Sequence, residues 1–370
     1  MNFSWIELSK KALLNNIAEI RKRFSSKVKF MAVVKANAYG HGFLEVVQTI
    51  KNKVDYFAVY DFRDAVLLRQ RKITQPILVL GRTLPSDISL ALKYDIEITV
   101  STLDILEAAK KISGRKKLML HICADTGMGR DGFVTADVKK VLQLLNNKNI
   151  EVKGLYSHFA AADEHKFDDY TKKQAAELLK WKNEFSKAGF EPLMHLPSTA
   201  GSFVSDLECN FDMLRIGAGL YGLWPTDEVK NLHEKEVKLQ PVLSWKVVIS
   251  ELKFLQKGSS ISYGCTRILK RDSKIAILPI GYFDGIPRVS SDLGQVIIRG
   301  IKCSQLGRVT MNMLIIDVTD VKKVKIGDVA TIIGLDKKAE ITADDWAIWS
   351  QSSNYEIVTR INSALPRRII

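Results

Sequence analysis

At 370 residues the chain is longer than one ordinary hydrophobic core covers, which makes two domains the expectation. Hydrophobic residues make up 46% and charged residues 26%, a globular balance that excludes a largely disordered chain. The formal charge of +14 invites nucleic-acid binding, but the basic residues are spread through segments such as "LSKKALLNNIAEIRKRF", so a lysine-rich solvated surface is the preferred reading.

The first residues, "MNFSWIELSKK", lack the basic-then-apolar order of a signal peptide. No apolar run approaches the ~18 residues of a membrane-spanning helix. The spacing predicts a helix over 10–24 with Ser9 as N-cap, then a buried strand over 29–34 that ends on Lys35. A loop of small and polar residues, "ANAYGHG", follows at once. Lysine is rarely buried without a partner, so Lys35 is either a snorkelling side chain at a strand end or an amine placed for chemistry. Further strands are predicted near "DYFAVY", "PILVLG", "IEITV", "KLMLHICAD", "VKGLYSHF", "PLMHLP" and "MLRIGAG". Amphipathic stretches such as "STLDILEAAKKI" and "TADVKKVLQLLNN" lie between them. Repeated strand–helix alternation calls for a parallel sheet, and about eight strand candidates suit a closed, TIM-like βα barrel. An open doubly wound sheet is the alternative.

After Pro225 the texture changes. A polar, charged connector, "PTDEVKNLHEKEVKLQ", leads into "PVLSWKVVISELKFL", "KIAILPIGYF", "QVIIRGIKC", "MLIIDVT" and "DVATIIG", which read as successive strands with short turns. Only "ITADDWAIWSQS" looks helical there, opened by Thr342 with an acid three residues on. The expected division is a βα barrel over 1–232 and a mostly β C-terminal domain over 233–370. The four cysteines, Cys123, Cys209, Cys265 and Cys303, are scattered with no CxxC pair, which suits reduced thiols in a cytoplasm.

In a βα barrel the reactive groups gather where strands give way to the following loops. Reading the predicted strand ends in turn gives Lys35, Arg130 in "DTGMGRDG", His158 in "SHFAAADE", Ser198 and Thr199 in "LPSTAG", and Arg215 in "MLRIGAGLYG". Singly each has a plain explanation: His158 as a hydrogen-bonded core imidazole, Arg215 as a partner of Asp212. Jointly they favour function. "GAGLYG" and "GMGRDG" match a GxGxxG template, but Pro225 blocks a helix after the first and the helix after the second begins only past Thr135, so a dinucleotide fold is rejected. The glycines of "RIGAG" still let backbone N–H groups approach a phosphate closely. A lysine beside a phosphate cup suggests pyridoxal phosphate, which lysine anchors as a Schiff base. His41 and His165 lack metal-ligand spacing, and no metal is expected.

At this point the chain resembles the alanine racemase family over nearly its whole length. The motifs "VVKANAYGHG", "DTGMGR", "SHFA", "FDMLRIGAGLYG", "SYG", "GYFDG", "GRVTMNM" and "NYE" stand in the family's order. The resemblance implies pyridoxal 5'-phosphate as cofactor, Lys35 as the Schiff-base lysine and Tyr263 as the second catalytic base. It implies Arg215 facing the pyridine nitrogen, Arg130 near the phenolic oxygen, and His158 orienting the tyrosine–arginine network. The phosphate would be held by Tyr39, Thr199, backbone at Gly217 and Ala218, and Tyr355. Met311 backbone, with Arg130, would meet the substrate, and Tyr282 and Arg288 would line its entryway. The implied assembly is a head-to-tail homodimer with shared active sites, without nucleic-acid or membrane partners.

The implied reaction interconverts L- and D-alanine, supplying D-alanine for peptidoglycan. Two bases on opposite sides of a planar intermediate invert Cα directly. Free tyrosine titrates near ~10 and lysine near ~10.4, so both need lowering. Alternatives are a serine or broad-specificity racemase on the same scaffold and, further off, a basic amino-acid decarboxylase. Two positions depart from the family's pattern. Cys123 stands where many members carry a lysine that can be carbamylated, leaving Arg130 to be balanced otherwise, and Asn312 replaces an acid.

Overall fold

The computed structural model describes residues 3–196, 198–204 and 211–370; Cys209 falls outside them. The chain divides into two compact units, one of Leu14–Lys35 with Thr49–Leu239, the other of Met1–Leu13 with Ala36–Gln48 and Gln240–Ile370.

The first unit is the predicted barrel. Eight strands pair in parallel in the order Leu193–His195, Ile150–Tyr156, Leu118–Cys123, Glu97–Val100, Ile77–Val79, Tyr56–Val59, Lys29–Val33 and Met213–Ile216. Most arise from short, largely apolar runs buried on both faces, as a parallel sheet covered by helices requires, while Ile150–Tyr156 begins with a more exposed stretch. The amphipathic segments between them fold as helices, including Leu103–Ala109, Val138–Leu145 and Asp168–Lys187. Each buries one apolar stripe, such as Leu178, Trp181 and Phe185 of the last. The strands Leu193–His195 and Met213–Ile216 are joined by Asp212, whose N–H donates to the Met194 carbonyl at 2.9 Å.

The second unit is mostly β. Its main sheet runs Ile301–Ser304, Gln295–Ile298, Val329–Asp336, Leu243–Val248, Ser4–Leu8 and Arg367–Ile369, with Ala339–Ile341 paired on Val329–Asp336. Ser4–Leu8 lies between an antiparallel partner, Leu243–Val248, and a parallel one, Arg367–Ile369. A smaller sheet holds Glu251–Leu255, Ser273–Leu278 and Leu314–Asp317. The expected helix is Ala343–Ser350, opened by a reciprocal capping box between Thr342 and Asp345. A second short helix, Asn354–Thr359, follows it.

The helix Lys10–Arg21 ends three residues earlier than its apolar spacing predicts, and Ser9 Oγ accepts the N–H of Ala12 as an N-cap should. No helix among the described residues is long and apolar enough to cross a membrane.

Candidate active site

Lys35 stands immediately beyond the strand Lys29–Val33, Arg130 in the loop after Leu118–Cys123, and His158 just past Ile150–Tyr156. Ser198 and Thr199 follow Leu193–His195, and Gly217 and Ala218 follow Met213–Ile216. All the strands are parallel, so these residues share the C-terminal rim of the barrel. Arg215 lies inside the last strand, 5% exposed, and points its guanidinium along the interior.

Arg215 does not pair with Asp212. Its Nη1 donates to Nδ1 of His195 at 2.9 Å and to the His195 carbonyl at 2.8 Å. Its Nη2 donates to the Ser157 carbonyl at 2.7 Å and, more loosely at 3.3 Å, to Nδ1 of His158. The guanidinium also lies over the ring of Tyr156, 4.9 Å from its centroid. Burial pulls Arg215 down to about 10, which leaves it a cation at neutral pH. Burial, with the positive charges of Arg215, Arg130 and Lys35, pushes His158 down to about 3. A neutral imidazole that accepts at Nδ1 carries its proton on Nε2.

Lys35 is half-buried. Desolvation lowers the proton affinity of its amine, and the charges of Arg130 and Arg215 lower it further. That is the direction needed by an amine that must lose its proton near neutral pH.

The loop carrying Arg130 is built by Asp125, whose Oδ1 accepts the N–H groups of Gly127, Met128 and Gly129 at 2.9 to 3.1 Å. Arg130 itself is exposed and pairs through Nε with Asp131 Oδ2 at 3.2 Å, so a neighbouring carboxylate balances it. Cys123 is buried beneath, its thiol pushed up to about 11 by desolvation, and contributes no charge. At the turn after Leu193–His195, Thr199 Oγ accepts the Gly219 N–H at 3.0 Å, which leaves its own hydrogen free to donate elsewhere. A Cβ on Gly219 would stand 2.8 Å from the Thr199 methyl, so only glycine brings these turns together.

In the other unit Tyr39 and Tyr355 meet edge to face, with ring centroids 6.4 Å apart. Tyr39 ends a turn in which Ala36, Asn37, Ala38 and Tyr39 all have φ between 52° and 54°, a left-handed turn made without glycine. The Gly40 and Gly42 N–H groups bond back to the Ala36 and Asn37 carbonyls, Asn37 Oδ1 accepts the Phe43 N–H at 2.8 Å, and Arg367 Nη2 donates to the Gly40 carbonyl at 2.9 Å. These bonds hold a conformation that costs L-residues roughly 1–2 kcal/mol each.

Tyr263 is 69% exposed, on a turn where Ser262, Gly264 and Cys265 all have positive φ. Ser262 Oγ donates to the Arg308 carbonyl, which seats the turn on the segment that leads to Met311 and Asn312. The Tyr282 and Phe283 N–H groups donate to the carbonyls of Thr310 and Met311, so the Tyr282 loop lies against the same segment. Gly281 permits this approach, because a Cβ there would sit 2.1 Å from the Thr310 carbonyl oxygen. Tyr282 and Arg288 line a pocket of about 580 Å³ together with Ile286, Pro287 and Arg360.

Sequence reasoning missed three interior residues that the barrel brings to Arg215: His195, His121 and Glu97, all buried. Their signal was there, since each is a polar side chain with an apolar residue on either side, in "LMHL", "LMLHIC" and "IEI".

Comparison with known proteins places these features. The family model described as "Alanine racemase, N-terminal domain" matches residues 8–225, and "Alanine racemase, C-terminal domain" matches 242–369. An alanine racemase of Methanococcus maripaludis is 37% identical, with 98% of this chain and 97% of that protein covered. "Alanine racemase 2" of Bacillus subtilis is 36% identical over 98% of this chain and 93% of its own length. Among solved structures, the alanine racemase of Clostridium difficile 630 superposes with a TM-score of 0.91 at 30% identity, covering all of this chain and 96% of that one. A complex of that enzyme with cycloserine gives 0.90 at 30% identity, with 100% and 96% covered. The alanine racemase of Bacillus anthracis with bound L-Ala-P gives 0.92 at 33% identity, with 100% and 95% covered.

Proposed function

This chain belongs to the alanine racemase family, and from that we propose that it interconverts L- and D-alanine with pyridoxal 5'-phosphate, supplying D-alanine for peptidoglycan in a cytoplasm. The observation that carries the reading is Lys35: an amine at the barrel rim, its proton affinity lowered by burial and by two guanidiniums.

The residues on the rim suit the group. A primary amine, a hydroxyl with a hydrogen to spare at Thr199, a small-residue turn at Gly217 and Ala218, and the cations Arg130 and Arg215 match an aldehyde carrying a phosphate and a phenolic oxygen. Tyr39, His158 and Tyr355 complete the proposed cofactor set. When bound, pyridoxal phosphate supplies an electron sink for the pair of electrons left as the Cα proton departs. Lys35 Nζ holds or returns that proton on one face of Cα, and the Tyr263 hydroxyl does so on the other. Arg215, which does not release its protons near neutral pH, would face the pyridine nitrogen and supply it no proton. Arg130 and the Met311 backbone would orient the substrate carboxylate, and Tyr282 and Arg288 would line its entry.

Tyr263 comes from the partner in the proposed head-to-tail homodimer, so each site draws on two chains. Residues 1–232 are proposed as the cofactor-binding barrel, apart from the strand Ser4–Leu8, which pairs in the β unit, and 233–370 as the domain that supplies this tyrosine. The test is Cα proton exchange in deuterated solvent with each alanine enantiomer, on the parent protein and on Lys35→Ala and Tyr263→Phe. Loss of exchange from opposite enantiomers in the two variants is expected. A parent protein that exchanges neither enantiomer in the presence of the cofactor would remove the reading, and a strictly monomeric preparation with full turnover would remove the shared site.

A further inference from the structure

Below Arg215 the barrel interior holds a column of polar side chains to which the roles above assign nothing. Nε2 of His195 lies 2.8 Å from Nδ1 of His121, and Nε2 of His121 lies 2.6 Å from Oε2 of Glu97. Both imidazoles are fully buried and Glu97 is 3% exposed. Glu97 opens its strand, at the N-terminal end of the barrel, whereas Arg215 approaches the catalytic rim. The column therefore runs between a carboxylate at one end and a guanidinium at the other.

Its hydrogens have one consistent order. A guanidinium only donates, so His195 Nδ1, which faces Arg215 Nη1, must be bare. His195 then carries its proton on Nε2 and donates to His121 Nδ1. That leaves His121 with its proton on Nε2, donating to Glu97, and an ionised carboxylate only accepts. A donor-only end and an acceptor-only end thus set the tautomer of both rings between them. Packing holds the rings in place. Tyr156 stacks on His195 at 4.8 Å, Tyr56 meets His121 edge-on, and Gly154 makes room for His121, since a Cβ there would lie 2.1 Å from its Nδ1.

We propose that Glu97 is a positioning residue for Arg215, acting through His121 and His195 to keep His195 Nδ1 an acceptor for the guanidinium, beside the backbone carbonyls that also hold it. Reversing His195 would turn an N–H toward the Arg215 N–H and push the guanidinium off its place, and reversing His121 would set its N–H against that of His195 and force His195 to reverse with it. The buried carboxylate also gives the column an anion to set against the buried cation, so neither charge is left wholly uncompensated in the interior. The effect on turnover rests on the racemase reading above; the hydrogen order does not.

The test uses the purified holoenzyme, labelled with ¹⁵N-histidine, together with Glu97→Gln and Glu97→Leu. In the parent, nitrogen shifts should report both buried rings as neutral Nε2–H tautomers. Glu97→Gln keeps an accepting oxygen, so it should keep both tautomers, the absorbance spectrum of the bound pyridoxal phosphate, and kcat within about threefold. Glu97→Leu has no acceptor. It should lose the tautomer pattern, shift the cofactor's absorbance and lower kcat by at least about tenfold with little change in KM, a smaller loss than the ~10⁴ seen when a wrong tautomer faces the reacting hydroxyl itself. If Glu97→Leu does not fold, His121→Phe, which keeps a ring without nitrogens, takes its place with the same expected result. A parent ring in the Nδ1–H or doubly protonated form overturns the proposal. So does a folded Glu97→Leu or His121→Phe whose spectrum and kcat match the parent. A parent that does not racemise alanine would instead refute the racemase reading and leave the tautomer measurement standing.

Discussion

Asp212 grips Met194 twice across the last seam of the barrel: its N–H donates to the Met194 carbonyl at 2.9 Å, and its Oδ2 accepts the Met194 N–H at 2.8 Å. The strands that meet here, Leu193–His195 and Met213–Ile216, are short, and a side chain supplies a bond that a longer ladder would supply from backbone. Arg215 adds its own bonds to the His195 and Leu196 carbonyls from within the same seam. The residue read from sequence as a salt-bridge partner for Arg215 is instead a clasp for the strand beside it.

Replacing Asp212 by alanine should strand the Met194 N–H and cost about 1–3 kcal/mol, whereas asparagine, which keeps an accepting oxygen, should cost less than about 1 kcal/mol. Denaturant unfolding of both variants checks this. Equal losses would show that the side-chain bond is not what joins the seam.

Gly40 should tolerate no side chain. It follows the left-handed turn with φ of +77°, and a Cβ there would stand 1.8 Å from the Val358 carbonyl oxygen. Gly40→Ala forces either the turn or the helix Asn354–Thr359 to move, and should cost more than about 3 kcal/mol or prevent accumulation of folded protein. Ala36→Gly, at an exposed position of the same turn, should be neutral to about 1 kcal/mol stabilising, because relief of left-handed strain outweighs the added freedom of the unfolded chain. A marked loss at Ala36→Gly would mean that the turn is not strained there.

Periodicity and burial made the barrel strands readable, because a parallel strand is a short unbroken apolar run with a helix after it. The rim residues followed, since the end of each strand could be located to within a residue or two. Ser4–Leu8 was not readable as part of the β unit: its register is set by Leu243–Val248, some 240 positions away, and nothing local reports that pairing. The left-handed turn was hidden too, because Ala36 and Ala38 carry no local preference for positive φ and the bonds that hold it come from Asn37 and Arg367. The interior column escaped for a different reason. Glu97, His121 and His195 each look like an isolated exception in an apolar strand, and only barrel closure brings all three into line with Arg215.

Cys123 should be chemically quiet. Its buried thiol is pushed up to about 11, and at pH 8 a thiol of that kind is ionised to only ~0.1%. Cys303 is buried and pushed up to about 11 as well, while Cys265 is exposed on the Tyr263 turn. Brief alkylation of the native protein followed by peptide mass analysis should find Cys265 modified well before Cys123 and Cys303. Modification of Cys123 at a comparable rate would contradict its burial beneath the Arg130 loop.

Lys35 gives the prediction nearest the chemistry. Burial, Arg130 and Arg215 all favour its neutral amine, so the folded chain gives up the Lys35 proton at lower pH than the unfolded chain does. The unfolded state then binds more protons in the interval between the two pKa values, and this group's contribution to stability rises with pH across it, up to the ordinary lysine value near ~10.4. Arg130→Met removes one of the two cations. The Lys35 titration should therefore move up, and the amine should be less reactive towards an aldehyde at neutral pH. The midpoint can be read from the pH dependence of Lys35 reductive methylation in protein freed of cofactor, with Arg82→Met as a control for loss of a surface cation elsewhere. A downward shift in Arg130→Met, or an equal shift in the control, would mean that the Arg130 guanidinium does not act on the Lys35 amine.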